Sequence, residues 1–287
     1  MSTQTPGRPE LTSGMSNLKL RVISGVVMIV GVLLLTWLGG VWYRLLSAAI
    51  GAGVLYEWTA MSMRGRETSI HRGLLVGSLG LVLVLLVAGV SAGYLLIILS
   101  GLVAVCAVHA GMTKQGFWPV IGLAYAELCA IALAFLRGDD SAGLLATLFL
   151  FAVVWATDIL AYFTGRALGG PKLAPSLSPG KTWSGAIGGT IAAALAGILL
   201  VAYVGSPMGA AAVAALVIAL SVVSQAGDLF ESRLKRMFGV KDSSQLIPGH
   251  GGVMDRVDGL AVAAFVMFLI GAGVSGLDTP AHAFFIR

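Results

Sequence analysis

Charge is scarce in this sequence. Asp, Glu, Lys and Arg make up 11% of its 287 residues, against about 25% in an ordinary soluble domain. That scarcity, with a hydrophobic content of 57%, excludes a soluble globular protein. Cysteine is scarcer still. Cys106 and Cys129 both fall inside apolar runs, so neither a disulfide framework nor a thiolate metal site is expected, and both read as small hydrophobes. There is no internal repeat and no low-complexity tract. No small-residue cleavage site follows the first apolar run, which therefore reads as a retained helix and not a removed leader.

What is present is hydrophobic length. The mean hydropathy is +0.94, and the apolar runs are each about 20 residues, enough to cross a hydrocarbon core of about 30 Å as a helix. Lipid offers no water to open backbone groups, so the expected fold class is all-α, a polytopic membrane protein. Hydropathy places nine spans at 22–38, 42–61, 73–91, 94–111, 118–136, 143–164, 184–204, 209–228 and 258–275. The 39 glycines suit closely approaching membrane helices. The formal net charge of +5 points to loop orientation and anionic lipid, not to nucleic acid.

Cation placement tests the count of spans. With nine crossings, 15 of the 18 Lys and Arg residues fall on the side of the N-terminus, and only Arg44, Arg137 and Arg287 fall opposite. The positive-inside rule then puts the N-terminus in the cytoplasm and the C-terminus outside. Residues 1–18, polar and carrying Pro6 and Pro9, read as a disordered tail. Residues 19–287 read as one membrane domain. Its two richest polar loops, 165–183 and 233–257, are both cytoplasmic, and the glycines and prolines of the first predict a structured turn.

One stretch, 228–259, concentrates five of the basic and five of the acidic residues between apolar runs. Charge of both signs beside hydrocarbon calls for a functional explanation. If the eighth helix continues past the membrane edge, Asp228, Glu231, Ser232 and Lys235 share a face. A solvated helix end accounts for Glu231 and Lys235, but not for Asp228 at the close of an apolar run. Pro248-Gly249-His250-Gly251-Gly252 reads as a turn whose amides converge on an anion, and it leads into Asp255-Arg256-Val257-Asp258. Mg²⁺ takes one or two carboxylates and fills its shell with water and phosphate oxygen. Asp228 and Asp255 at one membrane face can supply the pair, with Asp258 as a third ligand or as an orienting group. Lys235, Arg236, Lys241 and Arg256 would neutralise phosphate.

A second constellation is Asp158, Tyr162 and Arg166, followed by Ser178-Pro-Gly-Lys181-Thr182. An acid at 158, inside a span, should face a polar cavity. Gly180-Lys181-Thr182 superficially resembles a P-loop, but the glycine required at 175 is proline, which rules out a Walker site. Glu57 reads either as a cavity member or as an interfacial residue. Glu127 and His109 read as buried polar packing partners, and Trp42 and Trp118 as members of an aromatic belt.

Taken together, 232–258 resembles the characteristic segment of the phosphatidate cytidylyltransferases, also called CDP-diacylglycerol synthases. Ser232, Leu234, Lys235, Arg236, Lys241, Asp242, Ser244, Ile247, Pro248, His250, Gly251, Gly252, Val253, Asp255, Arg256, Val257 and Asp258 fill that pattern without a gap. The likeness extends to Asp158-x-x-Ala-Tyr162-x-x-Gly-Arg166 and to Ser178-Pro-x-Lys181-Thr182. One departure is Ser184, where the family usually has glutamate.

The resemblance implies transfer of a cytidylyl group from CTP to phosphatidic acid, with release of pyrophosphate, at the cytoplasmic face of the cell's inner membrane. It implies Mg²⁺ on Asp228 and Asp255, a monovalent cation such as K⁺ beside it, and a homodimer. It further implies phosphate contacts from Ser232, Lys235, Arg236, Lys241 and His250, and a cavity lined by Asp158, Lys181 and Thr182. A CDP-alcohol phosphotransferase fails as an alternative, because after Asp258-Gly259 the only later acid is Asp278. A transporter would place its acids near the bilayer middle in matching halves, which this sequence does not have.

Overall fold

The computed structural model describes residues 17–63 and 68–286. Among these described residues nine long helices follow one another: α1 (Asn17–Leu38), α2 (Gly40–Ser62), α3 (Ser69–Val87), α4 (Ala92–Met112), α5 (Trp118–Arg137), α6 (Ser141–Leu168), α7 (Trp183–Val204), α8 (Ala210–Met237) and α9 (Met254–Ser275). A hairpin of β1 (Lys172–Ala174) and β2 (Ser178–Thr182) joins α6 to α7, and a short 3₁₀ turn, Pro280–Ala283, closes the described chain. Eight of the nine are long and apolar enough to cross a membrane; α2 falls short, its average lowered by Arg44 and Glu57. Most of the tail expected at 1–18 lies outside the described residues, as do Arg8, Arg64, Arg66 and Arg287. Asn17 and Leu18 belong to α1, not to a tail.

The hub is α5. Its span is 72% buried, against 6% for α1, and it packs against α2, α3, α4, α6 and α9. Gly122 of α5 lets Trp58 of α2 lie flat on it, since a Cβ there would sit 2.3 Å from the indole. The indole N–H donates to the carbonyl of Trp118 at 2.8 Å. Behind α5 a core of Phe149, Leu150, Val217, Leu220, Met267 and Phe268 joins α6, α8 and α9, and Phe284 and Phe285 plug its end. Trp42 and Trp118 are exposed at helix ends, where the aromatic belt was expected.

Several boundaries differ from the hydropathy reading by four residues or more, and three have a local reason. The third helix starts at Ser69, four residues early, because the Thr68 side chain accepts from the His71 amide at 3.2 Å and caps it. The eighth runs to Met237, not 228, because Leu234 and Glu231 bury a further two turns. The loop 165–183 is partly helical and partly a hairpin, with Lys172 opposite Thr182 and Ala174 opposite Ser178. Gly169 (φ 62°) and Gly170 (φ 98°) turn the chain out of α6.

Candidate active site

Glycine sets where the carboxylates stand. At the crossing of α8 and α9, a Cβ on Gly227 would lie 2.8 Å from the Asp258 carbonyl oxygen, and one on Gly259 would lie 2.9 Å from the Ser224 carbonyl oxygen. The two backbones therefore nearly touch at the residues adjoining Asp228 and Asp258. The pair α6–α7 is as tight. The buried face of α7 is the stripe Gly185, Gly189, Ala193 and Gly197, and a Cβ on Gly189 would sit 2.5 Å from the Thr157 carbonyl oxygen. These crossings gather one end of α6, α7, α8 and α9 with the hairpin.

Between them is a cavity of about 700 Å³. It is lined by Asp158, Tyr162 and Arg166 of α6; Lys172, Ser178, Lys181 and Thr182 of the hairpin; Gln225 and Asp228 of α8; and Asp255 and Asp258 of α9. Asp158 and Tyr162 share one helical face, as their spacing requires. Arg166 donates to the Tyr162 hydroxyl at 2.8 Å. Lys181 forms an ion pair with Asp228, and the Ser232 hydroxyl reaches Asp228 Oδ1 at 3.5 Å. Asp258 accepts its own helix's Gly259 amide at 2.7 Å. Four carboxylates thus face one cavity that has lysine and arginine on its rim.

Asp255 is the most engaged of them. Its Oδ1 accepts from Lys235 Nζ at 2.6 Å. Its Oδ2 accepts from the Ser243 hydroxyl at 2.9 Å, the Ser243 amide at 3.1 Å and the Gly252 amide at 2.9 Å. Lys235 also pairs with the buried Glu231 at 3.0 Å. Lys235 and Ser232 therefore stand behind the cavity wall and touch its carboxylates, while Asp255 opens onto the cavity.

Several predicted residues do not line this cavity. Arg236, Lys241 and Arg256 are exposed, and Arg236 reaches no further than the Val240 carbonyl at 3.5 Å. His250 faces α1, with its Nδ1 2.9 Å from the Ser24 hydroxyl. The glycine-rich turn does collect amides around anions, but the anions are the protein's own. The Gly252 amide goes to Asp255, and those of Val253 and Met254 go to Glu57, each at 2.7 Å. Gly251 (φ 85°) is required there, since a Cβ would sit 2.9 Å from Asp255 Oδ2.

Glu57 is fully buried and is not among the residues that line the cavity, so neither of its two sequence readings holds. Glu127 is fully buried, and His109 stacks on His71. Ser184, where the family usually has glutamate, hydrogen-bonds the Gly169 carbonyl and lies 3.0 Å from the Thr182 hydroxyl. It braces the hairpin against the end of α6. Thr182 in turn caps α7 by accepting from the Gly185 amide at 3.1 Å. Sequence reasoning missed Lys172 and Gln225. Lys172 lay in the loop already read as cytoplasmic, and its pairing with Thr182 gives the signal only once the hairpin is known. Gln225 sits one turn before Asp228 on the same face, a spacing that could have found it.

The donor set suits a hard divalent cation: it is all oxygen, mostly carboxylate. Among the described residues no three His, Cys, Asp or Glu side chains enclose an ion by themselves. A cation here would draw part of its shell from water and substrate phosphate, the habit of Mg²⁺. A smaller cavity of about 280 Å³ at the opposite end of the bundle, beside Arg44, Asp139, Asp140 and His282, holds none of the predicted residues.

Comparison with known proteins gives the family. Residues 19–272 match the model of the cytidylyltransferase family. The chain is 50% identical over 273 residues to a phosphatidate cytidylyltransferase of Brucella suis biovar 1 (strain 1330), covering 94% of this chain and 99% of that one. It is 31% identical over 268 residues to a phosphatidate cytidylyltransferase of Rickettsia typhi (strain ATCC VR-144 / Wilmington), covering 91% and 95%. With one of Haemophilus influenzae (strain ATCC 51907 / DSM 11121 / KW20 / Rd) it shares 47% identity over a shorter stretch of 129 residues, 44% of this chain and 45% of that one. A membrane helix bundle that gathers carboxylates with lysine and arginine at one end, and matches that model over nearly its whole length, belongs to the cytidylyltransferase family.

Proposed function

We propose that this chain transfers the cytidylyl group of CTP to phosphatidic acid, forming CDP-diacylglycerol and pyrophosphate. The observation that carries the reading is the meeting of Asp158, Asp228, Asp255 and Asp258 with Lys181, Lys172 and Arg166 around one cavity at the end of a membrane bundle. The names of the relatives support the choice of lipid and nucleotide. A phosphate oxygen of phosphatidic acid attacks the α-phosphorus of CTP. The new P–O bond forms as the bond to the β-phosphate bridging oxygen breaks, and pyrophosphate carries away the electron pair. Phosphate monoesters have a second pKa of about 6, so the lipid is already a nucleophile at neutral pH and no dedicated general base is required.

The residues act by positioning and charge neutralisation. Lys181, Lys172 and Arg166 are in place to bind the phosphates, Arg166 in a fixed fork held by Tyr162. Asp228 and Asp255 are the residues we assign to Mg²⁺, with Asp258 beside them. Each of the pair already holds one lysine ammonium, Lys181 and Lys235 respectively, so positive charge is accommodated at both carboxylates. When bound, Mg²⁺ would supply charge stabilisation at the attacked phosphate and the leaving pyrophosphate. A monovalent cation such as K⁺ as neighbour is part of the same reading.

The cation bias of the loops supports a cytoplasmic site in the inner membrane, where CTP arrives from water and the lipid arrives sideways between helices. A homodimer completes the proposal, tested by mass measurement in lipid nanodiscs. Purified protein given radiolabelled CTP, phosphatidic acid and Mg²⁺ should yield lipid-extractable label. Asp228→Asn should lower that rate at least about 100-fold without loss of the folded protein. A wild-type protein that leaves all label in the aqueous phase refutes the reading.

A further inference from the structure

We propose that Glu57 is a positioning residue for the transfer reaction, setting Asp255 through the Ser243 hydroxyl from a helix that contributes nothing to the cavity. The inference rests on the reading of that cavity as the cytidylyl-transfer site.

Glu57 sits in α2, at least 186 residues before every group it holds. Its Oε1 accepts from the Ser244 hydroxyl at 2.6 Å and the Val253 amide at 2.7 Å. Its Oε2 accepts from the Ser243 hydroxyl at 3.0 Å and the Met254 amide at 2.7 Å. Helix α9 begins after Val253 with no side-chain cap of its own. The first amides of a helix need an acceptor, and Glu57 supplies it from across the bundle. Four donors on one buried carboxyl fix both ends of the segment 243–254, and Asp255 is the next residue.

The link onward is Ser243. Its side chain is buried, and its hydroxyl lies 3.0 Å from Glu57 Oε2 and 2.9 Å from Asp255 Oδ2. One proton facing two carboxyl groups makes a three-centre bond, so any shift of Glu57 is passed to Asp255 directly. A separate observation shows how closely the segment is built around this arrangement. A Cβ at Gly252 would lie 1.9 Å from the Ser243 hydroxyl oxygen and 2.6 Å from both Glu57 oxygens. The second glycine of the turn is therefore a space left for Glu57 and Ser243.

The test is a double-mutant cycle on the purified full-length protein in lipid nanodiscs, measuring kcat, the KM for CTP and the thermal midpoint. In Glu57→Gln the amide NH₂ must face a backbone N–H whichever way it turns, because each carboxyl oxygen accepts one. We expect kcat to fall about 10- to 100-fold, the cost of shifting a reacting group by about 1 Å, with the KM for CTP held within about threefold. Ser243→Ala leaves both α9 amides on Glu57 and cuts only the link. It should lower kcat about 5- to 20-fold with an unchanged thermal midpoint. If Glu57 acts through Ser243, the double variant is no slower than Glu57→Gln alone. A Ser243→Ala enzyme with wild-type kcat overturns the proposal, including where Glu57→Gln does not fold, and so does full additivity in the cycle. Failure of the underlying reading looks different: the wild-type protein itself would label no lipid.

Discussion

Replacing Gly189 by alanine adds one methyl group at one of the tightest backbone contacts between α6 and α7. That carbon would sit 2.5 Å from the Thr157 carbonyl oxygen and 2.9 Å from the Ala161 Cβ, where ordinary contact begins at 3.4 Å. The oxygen is backbone and cannot rotate away, so the helices must separate by about 0.9 Å, the difference between 3.4 and 2.5 Å. Overpacking of this kind costs about 1–3 kcal/mol. The functional cost is larger, because α6 carries Asp158, Tyr162 and Arg166 while α7 begins immediately after Lys181 and Thr182. Moving one wall of the cavity against the other by about 1 Å is expected to lower kcat/KM for CTP by about 100-fold. Gly80→Ala in α3 is the control, since nothing lies within 4 Å of its added carbon; it should keep wild-type rate and stability. The assay is the transfer of label from CTP to lipid by both variants, beside their thermal midpoints in the same detergent. A Gly189→Ala enzyme indistinguishable from Gly80→Ala would refute the claim that this contact shapes the site.

Lys181→Met removes the ammonium paired with Asp228 and leaves the cavity acids without it; kcat/KM for CTP should fall about 100- to 1,000-fold, measured in the same lipid-label assay. Arg137 is buried, and its guanidinium donates to the carbonyls of Thr36, Trp37, Gly138 and Asp140. Arg137→Met strands those acceptors and should destabilise the protein by about 2–4 kcal/mol, seen as a lower thermal midpoint. Asp140 lies at the opposite end of the bundle from the site. Partial burial pushes its carboxyl up, but the Gly143 amide and His282 outweigh this and hold it below the usual carboxylate range. A depressed folded value means its stabilisation is present above the ordinary pKa of about 3.9 and lost as pH falls through the lower folded value. Wild-type protein should therefore exceed Asp140→Asn in thermal midpoint at pH 6, and the gap should close as acid protonates Asp140.

The bundle could be read from composition because lipid leaves the backbone so few choices. Hydropathy alone recovers α4 to α7 to within a few residues at each end. The carboxylates of the cavity were equally legible, since an acid at 158 or 228 interrupts an apolar run and must be accommodated. Distance along the chain hid the rest. Nothing near Glu57 in sequence indicates that Val253 and Met254 donate to it, and a glutamate in a span looks the same whether it lines a cavity or caps a distant helix. The turn at 249–252 misled for a related reason. Glycines do free amides for an anion, but a sequence does not say whether that anion is a substrate or a side chain folded in from elsewhere. Arg236, Lys241 and Arg256 look like phosphate ligands by charge and spacing, while the direction each side chain takes depends on how α8 and α9 are rotated, which period and hydropathy do not fix.

The tethers of α1 bear on how the protein is assembled. Of the described helices this one comes first in the chain, yet its polar anchors are made much later. Arg137, which binds the carbonyls at its far end, follows by about 100 residues, and Pro248, which accepts from Ser24, follows by 224. With so little of its own surface covered, α1 has little but its packing on α2 to hold it until those later segments are inserted. Its high hydropathy makes that wait tolerable. Shortening its apolar run should therefore harm biogenesis before it harms turnover, and mature protein that does form should work normally.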